Sequence, residues 1–274
     1  MKVPYMVVPK LDQAGAIPNG GGGPPAPSVY TYVTNRTASN NVFWFDASAY
    51  PRLIDIGTPG PTNVVCSLKY IFHVESILVG IRALCGNRGG NGGFSIQGGY
   101  TLGSSYQARM FTEDDSGSNR FTALSPVSVS VGDIVVLHAI WDALGQRCYL
   151  QGTDEQAAAF TSGYGQFNGN GGFVLGADSN RSGYFDGSTL AVQLSQGVDI
   201  IACSIRKGVA LSAAQVAADF AVTDPANLHL ANATHAWRPD PTDATKMITD
   251  IGTADLTYNT TDALDPPVIG TVAP

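Results

Sequence analysis

The chain has 274 residues, which suits one large β domain with appendages. Only 14% of the residues are charged, against about 25% in an average soluble domain, and the net charge is −7. The few Lys and Arg residues are scattered, which excludes a general nucleic-acid binder, because phosphate recognition needs a basic face. The longest apolar stretches fall far short of the ~20 residues that cross a bilayer, so no membrane partner is expected.

Residues 1–27 are predicted to form an extended N-terminal arm and a Gly/Pro linker. Four glycines at 20–23 provide flexibility, and the prolines that follow stiffen the exit. The arm lacks the long apolar run of a signal peptide, so assembly in a host cytoplasm is expected. Its apolar side chains would be adhesive if exposed, so we expect them either to be ordered against the domain or to dock on a neighbouring subunit. We favour docking on a neighbour, because the linker gives the arm reach. These assembly residues are Val3, Tyr5, Met6, Val7, Val8 and Leu11.

Residues 28–222 are predicted to form the main domain. Segments rich in Val, Ile, Thr, Tyr and Phe recur between glycine-rich turns, as in a set of short strands. The strict Val/Ser alternation of residues 127–131 predicts a half-buried strand. So many strands with so little helix indicate an all-β sandwich or barrel.

A β-hairpin is predicted from residues 134–142 and 147–151, which a short loop connects. Trp141 and Tyr149 are expected to face each other across it as a cross-strand aromatic pair.

One short helix is predicted at residues 213–220. Ser212 is placed to be the N-cap, and Gln215, three residues later, completes a capping box. Leu211 before the cap and Val216 in the first turn can form a hydrophobic staple.

Residues 223–274 are predicted to be an irregular, Pro-rich C-terminal extension, because Asp-Pro and Pro-Pro steps interrupt any long element. Trp237 is its largest apolar residue, and we expect it to anchor the extension on the sandwich or on a partner.

The four cysteines, Cys66, Cys85, Cys148 and Cys203, form no CxxC pair, so zinc and thioredoxin-type sites are disfavoured. Each lies in or beside an apolar segment, which predicts reduced, buried thiols that act as small hydrophobic residues. A disulfide is the open alternative, since sequence does not assign partners.

An ordered set of motifs between residues 131 and 220 carries a family resemblance. The set comprises a histidine–aromatic–acidic strand at 137–142, a hairpin glycine at 145, a hydrophobic-Gly strand at 173–177, an aromatic-Asp-Gly step at 184–187 and an Ala-Leu-Ser step into a helix at 210–216. This set resembles the laminin-G-like and pentraxin-like domains of the concanavalin A-like lectin/glucanase superfamily. The resemblance implies a two-sheet antiparallel jelly-roll sandwich with one short helix.

Enzymatic activity is not expected. Glucanases of this superfamily place two glutamates and an aspartate on one strand, whereas Glu75, Glu113 and Glu155 here lie far apart in the sequence. No nucleophile elbow, metal-ligand spacing of histidines or phosphate-binding loop is present either.

Calcium is the one cofactor that the sequence suggests. Many laminin-G-like domains bind calcium at one rim, and the loop at 177–183 is rich in oxygen ligands. Asp178 and Asn180 are the candidate ligands, and an ordinary polar loop is the alternative.

A glycan site is suggested by residues 163–172, where aromatic rings alternate with amides. Tyr164 and Phe167 would form the platform, and Asn168 and Asn170 would bind sugar hydroxyls. A flexible glycine-rich connection between strands is the alternative explanation of the same segment.

Two functions fit these observations. The one we favour is a non-enzymatic structural or decorating subunit of a large assembly, in particular a bacteriophage virion (capsid or tail) protein with a lectin-like domain and a homo-oligomeric state. The alternative is a carbohydrate-binding lectin module for surface attachment.

Overall fold

The structure is a computed structural model. It describes residues 29–34, 43–46, 65–75, 80–86, 93–100, 106–113, 119–123, 129–142, 145–152, 154–159, 174–176, 198–221, 224–252, 255–260 and 267–274. Sixteen strands and one helix lie in these ranges. They are β1 (Tyr30–Thr34), β2 (Phe43–Asp46), β3 (Cys66–Val74), β4 (Gly80–Gly86), β5 (Gly93–Tyr100), β6 (Tyr106–Glu113), β7 (Asn119–Ala123), β8 (Ile134–Asp142), β9 (Gly145–Leu150), β10 (Asp154–Ala159), β11 (Val174–Leu175), β12 (Val198–Lys207), α1 (Ala213–Ala221), β13 (His235–Asp240), β14 (Asp243–Ile251), β15 (Leu256–Thr260) and β16 (Ile269–Val272).

The first layer is built around β3. Its two neighbours are β8 and β12, and β9 and β10 follow on the β8 side. The far edge of β12 is shared, since its first half pairs with β1 and its second half with β13. Eight of the nine residues of β3 are buried, so both faces of this layer are covered.

The second layer follows without a break in the hydrogen-bonded ladder. Strands β14 and β15 pair, and β2, β11, β4, β5, β6 and β7 continue in that order. At the other end, β6 and β7 contact β9 and β10 across the sandwich. Every pairing among the described strands is antiparallel, so the all-β jelly-roll prediction is confirmed.

The main core fills the space between the layers. Leu68, Tyr70 and Trp141 come from the first layer and meet Ile96 and Met110 from the second. Burial of each such side chain stabilises the fold by about 1.5–3 kcal/mol before ordering costs.

The last part of the chain is more regular than its sequence suggests, because residues 235–272 contribute β13 to β16. Pro239 lies next to a register irregularity opposite Met247, one of the few sheet positions that tolerate proline. The Pro-Asp-Pro step therefore ends a strand and turns the chain into β14. Trp237 is fully buried in the main core, which confirms that it anchors this region on the sandwich.

The β8–β9 hairpin forms as predicted, but the predicted cross-strand pairing of Trp141 with Tyr149 is wrong. Trp141 lies opposite Gln146, and Tyr149 lies opposite His138. Because neighbouring residues point to opposite faces of a strand, this register sends Trp141 into the main core and Tyr149 to the outer face of the sheet.

The prediction of a strand at 127–131 is also wrong for residues 129–131, the part of that segment that the structure describes. Residues 129–133 form a turn in which the Asp133 carboxylate accepts a hydrogen bond from Ser130 N at 2.7 Å. Val129 is buried, whereas Val131 is 53% exposed, so the expected alternation ends at this turn.

Helix α1 covers the outer face of the first layer. The predicted capping box is confirmed, since Ser212 N donates to Gln215 Oε1 at 2.9 Å and Gln215 N donates to Ser212 Oγ at 3.3 Å. The staple residues Leu211 and Val216 pack in one apolar cluster with Ile140 of β8.

The four cysteines are unpaired and buried, which confirms the prediction of reduced, core-forming thiols. Burial raises the pKa of the Cys66 thiol to about 12, so it carries no nucleophilic thiolate at neutral pH.

No helix among the described residues is long and apolar enough to cross a membrane.

Candidate functional site

A cavity of about 280 Å³ opens where β1 meets the β13–β14 hairpin. Three separate parts of the chain form its walls: the start of β1, the segment 225–229, and the facing residues of β13 and β14. The side chains that define its chemistry are Tyr30, Pro225, Leu228, His229, Arg238 and Asp250.

The segment 225–229 is held in place by a local turn and one long-range bond. The carboxylate of Asp224 accepts hydrogen bonds from Ala226 N at 2.7 Å and from the side-chain amide of Asn227 at 3.1 Å. Leu230 N donates to Ser204 Oγ on β12 at 3.0 Å, which ties the end of the segment to the sheet. The wall of the cavity is therefore positioned by the sandwich.

One end of the cavity is polar. The Asp250 carboxylate accepts hydrogen bonds from Arg238 Nε at 3.0 and 2.9 Å and lies 2.8 Å from His229 Nε2. Arg238 is 39% exposed, and within the described residues its two terminal nitrogens have no hydrogen-bond partner. These nitrogens can donate to a ligand.

The other end is apolar and aromatic. Tyr30 and Leu228 pack together with Ile71 and Val136 of the first layer. Burial, together with the charge of Asp224, raises the pKa of the Tyr30 phenol. The hydroxyl is therefore neutral at pH 7 and can both donate and accept a hydrogen bond.

The cavity combines hydrogen-bonding groups with an apolar wall, which are the elements of a ligand-binding site. Glycoside hydrolysis needs two carboxyl groups that flank the bond to be broken. Among the described lining residues Asp250 supplies the one carboxylate, and Arg238 and His229 already engage it.

A second polar cluster lies beneath α1. Asp219 Oδ2 is 2.8 Å from Lys69 Nζ and 2.8 Å from His138 Nε2. Lys69 and His138 are paired residues on β3 and β8 and are almost fully buried. The cluster explains the strand histidine of the motif at 137–142, which serves the docking of α1.

The charge states in this cluster follow from burial. Burial lowers the pKa values of the Lys69 ammonium and of the His138 imidazole, and the nearby Asp219 only partly offsets this. Burial alone would raise the pKa of Asp219, but hydrogen bonds from His138 and Lys69 hold it below its usual value. His138 is therefore neutral at pH 7.

A third pair joins β3 and β12. His73 Nδ1 lies 2.8 Å from Asp199 Oδ2, and the His73 ring stacks on Tyr32 with centroids 5.4 Å apart. These contacts fix β1 against the sheet and so support the Tyr30 wall of the cavity.

The site residues predicted from sequence lie outside the described residues. This holds for the glycan candidates Tyr164, Phe167, Asn168 and Asn170, for the calcium candidates Asp178 and Asn180, and for the arm residues Val3, Tyr5, Met6, Val7, Val8 and Leu11. Among the side chains that the structure describes, no group of three or more His, Cys, Asp or Glu could hold a metal ion.

Sequence reasoning missed the cavity residues Tyr30, His229, Arg238 and Asp250. Tyr30 comes from the start of β1, whereas the other three come from neighbouring segments near the other end of the sequence, which were assigned to an irregular extension. No local pattern around Arg238 and Asp250 singles them out, and Pro239 and Pro241 resemble the end of regular structure.

No protein-family model matches the chain, and no curated protein matches it. Among solved structures, the fold is similar to a heptameric SAP-like pentraxin from Limulus polyphemus, with 10% identity and a TM-score of 0.53 over 89% of this chain and 95% of that chain. It is also similar to a putative carbohydrate binding protein from Bacteroides ovatus, with 12% identity and a TM-score of 0.54 over 89% of this chain. The match spans 60% of the Bacteroides chain. At these identities the likeness shows the fold, which agrees with the pentraxin-like resemblance of the motifs.

Proposed function

We propose that this chain is a carbohydrate-binding module and that the cavity between β1, segment 225–229 and the β13–β14 hairpin takes the ligand. The observation that carries the proposal is the pairing of free guanidinium nitrogens on Arg238 with an apolar wall at Leu228 and Pro225. A sugar ring has hydroxyls at its edge and C–H groups on its faces, so it complements both. The fold is also that of the Bacteroides protein described as a putative carbohydrate binding protein.

The charges of the cavity favour a neutral, hydroxyl-rich ligand. Arg238 and Asp250 neutralise each other, and Asp224 lies near Tyr30. A strongly anionic ligand would therefore compete with Asp250 for the guanidinium and would face a second carboxylate. The cavity volume of about 280 Å³ lies just below the range of about 300–1,000 Å³ for ligand pockets, which favours a small ligand such as one or two sugar rings.

Binding without turnover is part of the proposal. The lining has one engaged carboxylate, and the sequence has no paired glutamates or nucleophile elbow. We therefore expect no glycosidase, protease or nucleotidase activity.

The direct test is a glycan array followed by calorimetry on the best neutral oligosaccharide. Arg238→Ala should weaken binding at least about tenfold, the loss of roughly one charge-assisted hydrogen bond. Arg147→Ala is the matched control, because Arg147 also pairs with an aspartate, Asp142 at 2.6 Å, but lies outside the cavity. The absence of any glycan ligand, or equal affinities of wild type and Arg238→Ala, would refute the proposal.

A structural role in a larger assembly, including a virion, is a second proposal. It rests on the apolar arm residues, which lie outside the described residues, and on apolar surface at the base of the arm. Val29 lies two residues after the arm and is 43% exposed. An attachment module of a homo-oligomeric assembly would combine both proposals.

A further inference from the structure

Lys69 is the most unusual side chain in the first layer. It is 1% exposed, yet its ammonium is charged at neutral pH in an ordinary setting. Within the described residues its one polar contact is to Asp219 Oδ2 at 2.8 Å. An ammonium has three N–H donors, and one contact compensates only part of the free-energy cost of removing the charge from water.

We propose that Lys69 and Asp219 condense to form an intramolecular isopeptide bond. The Nζ of Lys69 attacks the carboxyl carbon Cγ of Asp219, the Cγ–Oδ2 bond breaks, and the oxygen leaves as water. One amide bond and one water molecule replace one ammonium and one carboxylate. Atoms and electrons balance without an oxidant, a reductant or a co-reactant.

The geometry places the reacting atoms close together. The C–O bond of a carboxyl group adds about 1.2 Å to the 2.8 Å contact, so Nζ lies within about 4 Å of Cγ. A near-attack arrangement needs about 3–3.5 Å, which a small rotation of either side chain provides.

His138 is placed to protonate the oxygen that leaves. Its Nε2 lies 2.8 Å from the same Oδ2 that Lys69 contacts. Departure of that oxygen as water requires a proton, and an N–H aimed at it supplies one. Since the Lys69 amine releases protons on amide formation, His138 can recover its proton afterwards.

The surroundings favour a neutral product. Asp219 lies on α1 between Val216, which packs on Ile140, and Phe220, which packs in the cluster of Ile71. Lys69 and His138 are enclosed by β3, β8 and this helix. An amide in this apolar setting avoids the desolvation cost of two buried charges.

The reaction should be slow. Attack requires a neutral amine on Lys69 beside a neutral carboxyl on Asp219. This form arises when one proton moves from the ammonium to the carboxylate, so the total number of bound protons is the same as in the ion pair. Burial lowers the pKa of Lys69 and favours the amine, whereas the donors around Asp219 hold its carboxyl ionised. The reactive form is therefore a minority, and the amide accumulates with time in the folded protein.

The test is the intact mass of the purified full chain after prolonged warm incubation under native conditions. We expect a mass lower by one water molecule than the sequence requires, and a branched tryptic peptide that joins residues 69 and 219. Lys69→Arg and Asp219→Ala should show no mass loss. Asp219→Asn should reach the same final mass as the linked wild type, because an asparagine reacts with loss of ammonia.

Lys246 and Asp243 provide an internal control. They are 3.4 Å apart, but their side chains are 47% and 36% exposed, so their peptides should be recovered unlinked. A wild-type mass that still equals the calculated value after incubation would overturn the proposal, as would a water loss mapped to any other residues. Neither outcome depends on whether the variants fold or on glycan binding.

Discussion

Gly152 lies directly against the ring of Phe220. A Cβ atom added to Gly152 would lie 2.7 Å from both Cβ and Cγ of Phe220. The turn between β9 and β10 therefore approaches α1 so closely that a glycine is required, and its φ of +74° adds a second reason for one.

Gly152→Ala should destabilise the protein markedly. The left-handed backbone costs about 1–2 kcal/mol for a residue with a Cβ, and the clash with Phe220 adds about 1–3 kcal/mol of overpacking. Gly208→Ala is the matched control, because Gly208 has the same φ of +74° but nothing within 4 Å of the added Cβ. Urea unfolding should give the larger loss for Gly152→Ala, and equal losses would show that α1 does not pack here.

Loss of the capping box should cost a moderate amount of stability. Ser212→Ala removes the bond to Gln215 N and should lower the free energy of unfolding by about 1 kcal/mol without altering the oligomeric state. Gln215→Ala removes the reciprocal bond, so a double-mutant cycle should show coupling between the two. A change of less than about 0.2 kcal/mol for Ser212→Ala would contradict the cap.

The stability of the protein should fall as the solution is acidified. Burial lowers the pKa of His138 from its ordinary value of about 6.5, so the unfolded chain binds a proton that the folded protein does not. The stabilising effect is present above about pH 6.5 and is lost as the pH decreases toward the folded pKa. Urea midpoints measured from about pH 7.5 to about pH 5.5 should fall less steeply for His138→Gln than for wild type. Parallel slopes would assign the acid sensitivity to other groups, such as His235, whose pKa burial also lowers.

Tyr30→Phe should separate ligand binding from stability. The Tyr30 ring is buried, but its hydroxyl makes no hydrogen bond with the described residues. Thermal unfolding of the variant should therefore match wild type, while affinity for the best glycan should fall by about threefold to tenfold, the loss of one neutral hydrogen bond. Unchanged affinity would place the ligand elsewhere on the surface.

Deletion of residues 1–27 should leave a folded domain that assembles poorly. The arm has six apolar residues beyond a four-glycine linker, and its burial on a neighbour would contribute to assembly. Mass measurement in solution, with circular dichroism as the control for folding, compares the full and shortened chains. Normal assembly of the shortened chain would show that the arm is not the contact.

Local signals in the sequence predicted structure well, whereas long-range register did not follow from them. The cap at Ser212 depends on residues within one helical turn, so its bonds were predictable. Which residues lie opposite Trp141 and Tyr149 depends on the length of the turn between the two strands. A register shift of one residue would turn every side chain of a strand to the other face of the sheet. The prolines at 239 and 241 resembled the end of regular structure, but they mark the turn between two strands of the sheet.

The candidate site was harder to predict for the same reason. Arg238 and Asp250 meet only because β13 and β14 pair, and His229 joins them only because Ser204 holds the neighbouring segment on β12. No spacing within a single segment encodes that set.

The pairing of β1 with β16 determines how the fold would respond to tension. Tyr30, the first residue of β1, lies opposite Val272, the last residue of β16, so these two strand ends are neighbours in one antiparallel ladder. A pulling force applied through the two flanking segments would load these hydrogen bonds one after another, as a zipper opens, and would not shear them all at once. The first rung to open carries Tyr30, so the cavity wall would yield at low force while the rest of the sandwich stayed intact. Tension along the chain would therefore deform the cavity before the domain unfolds.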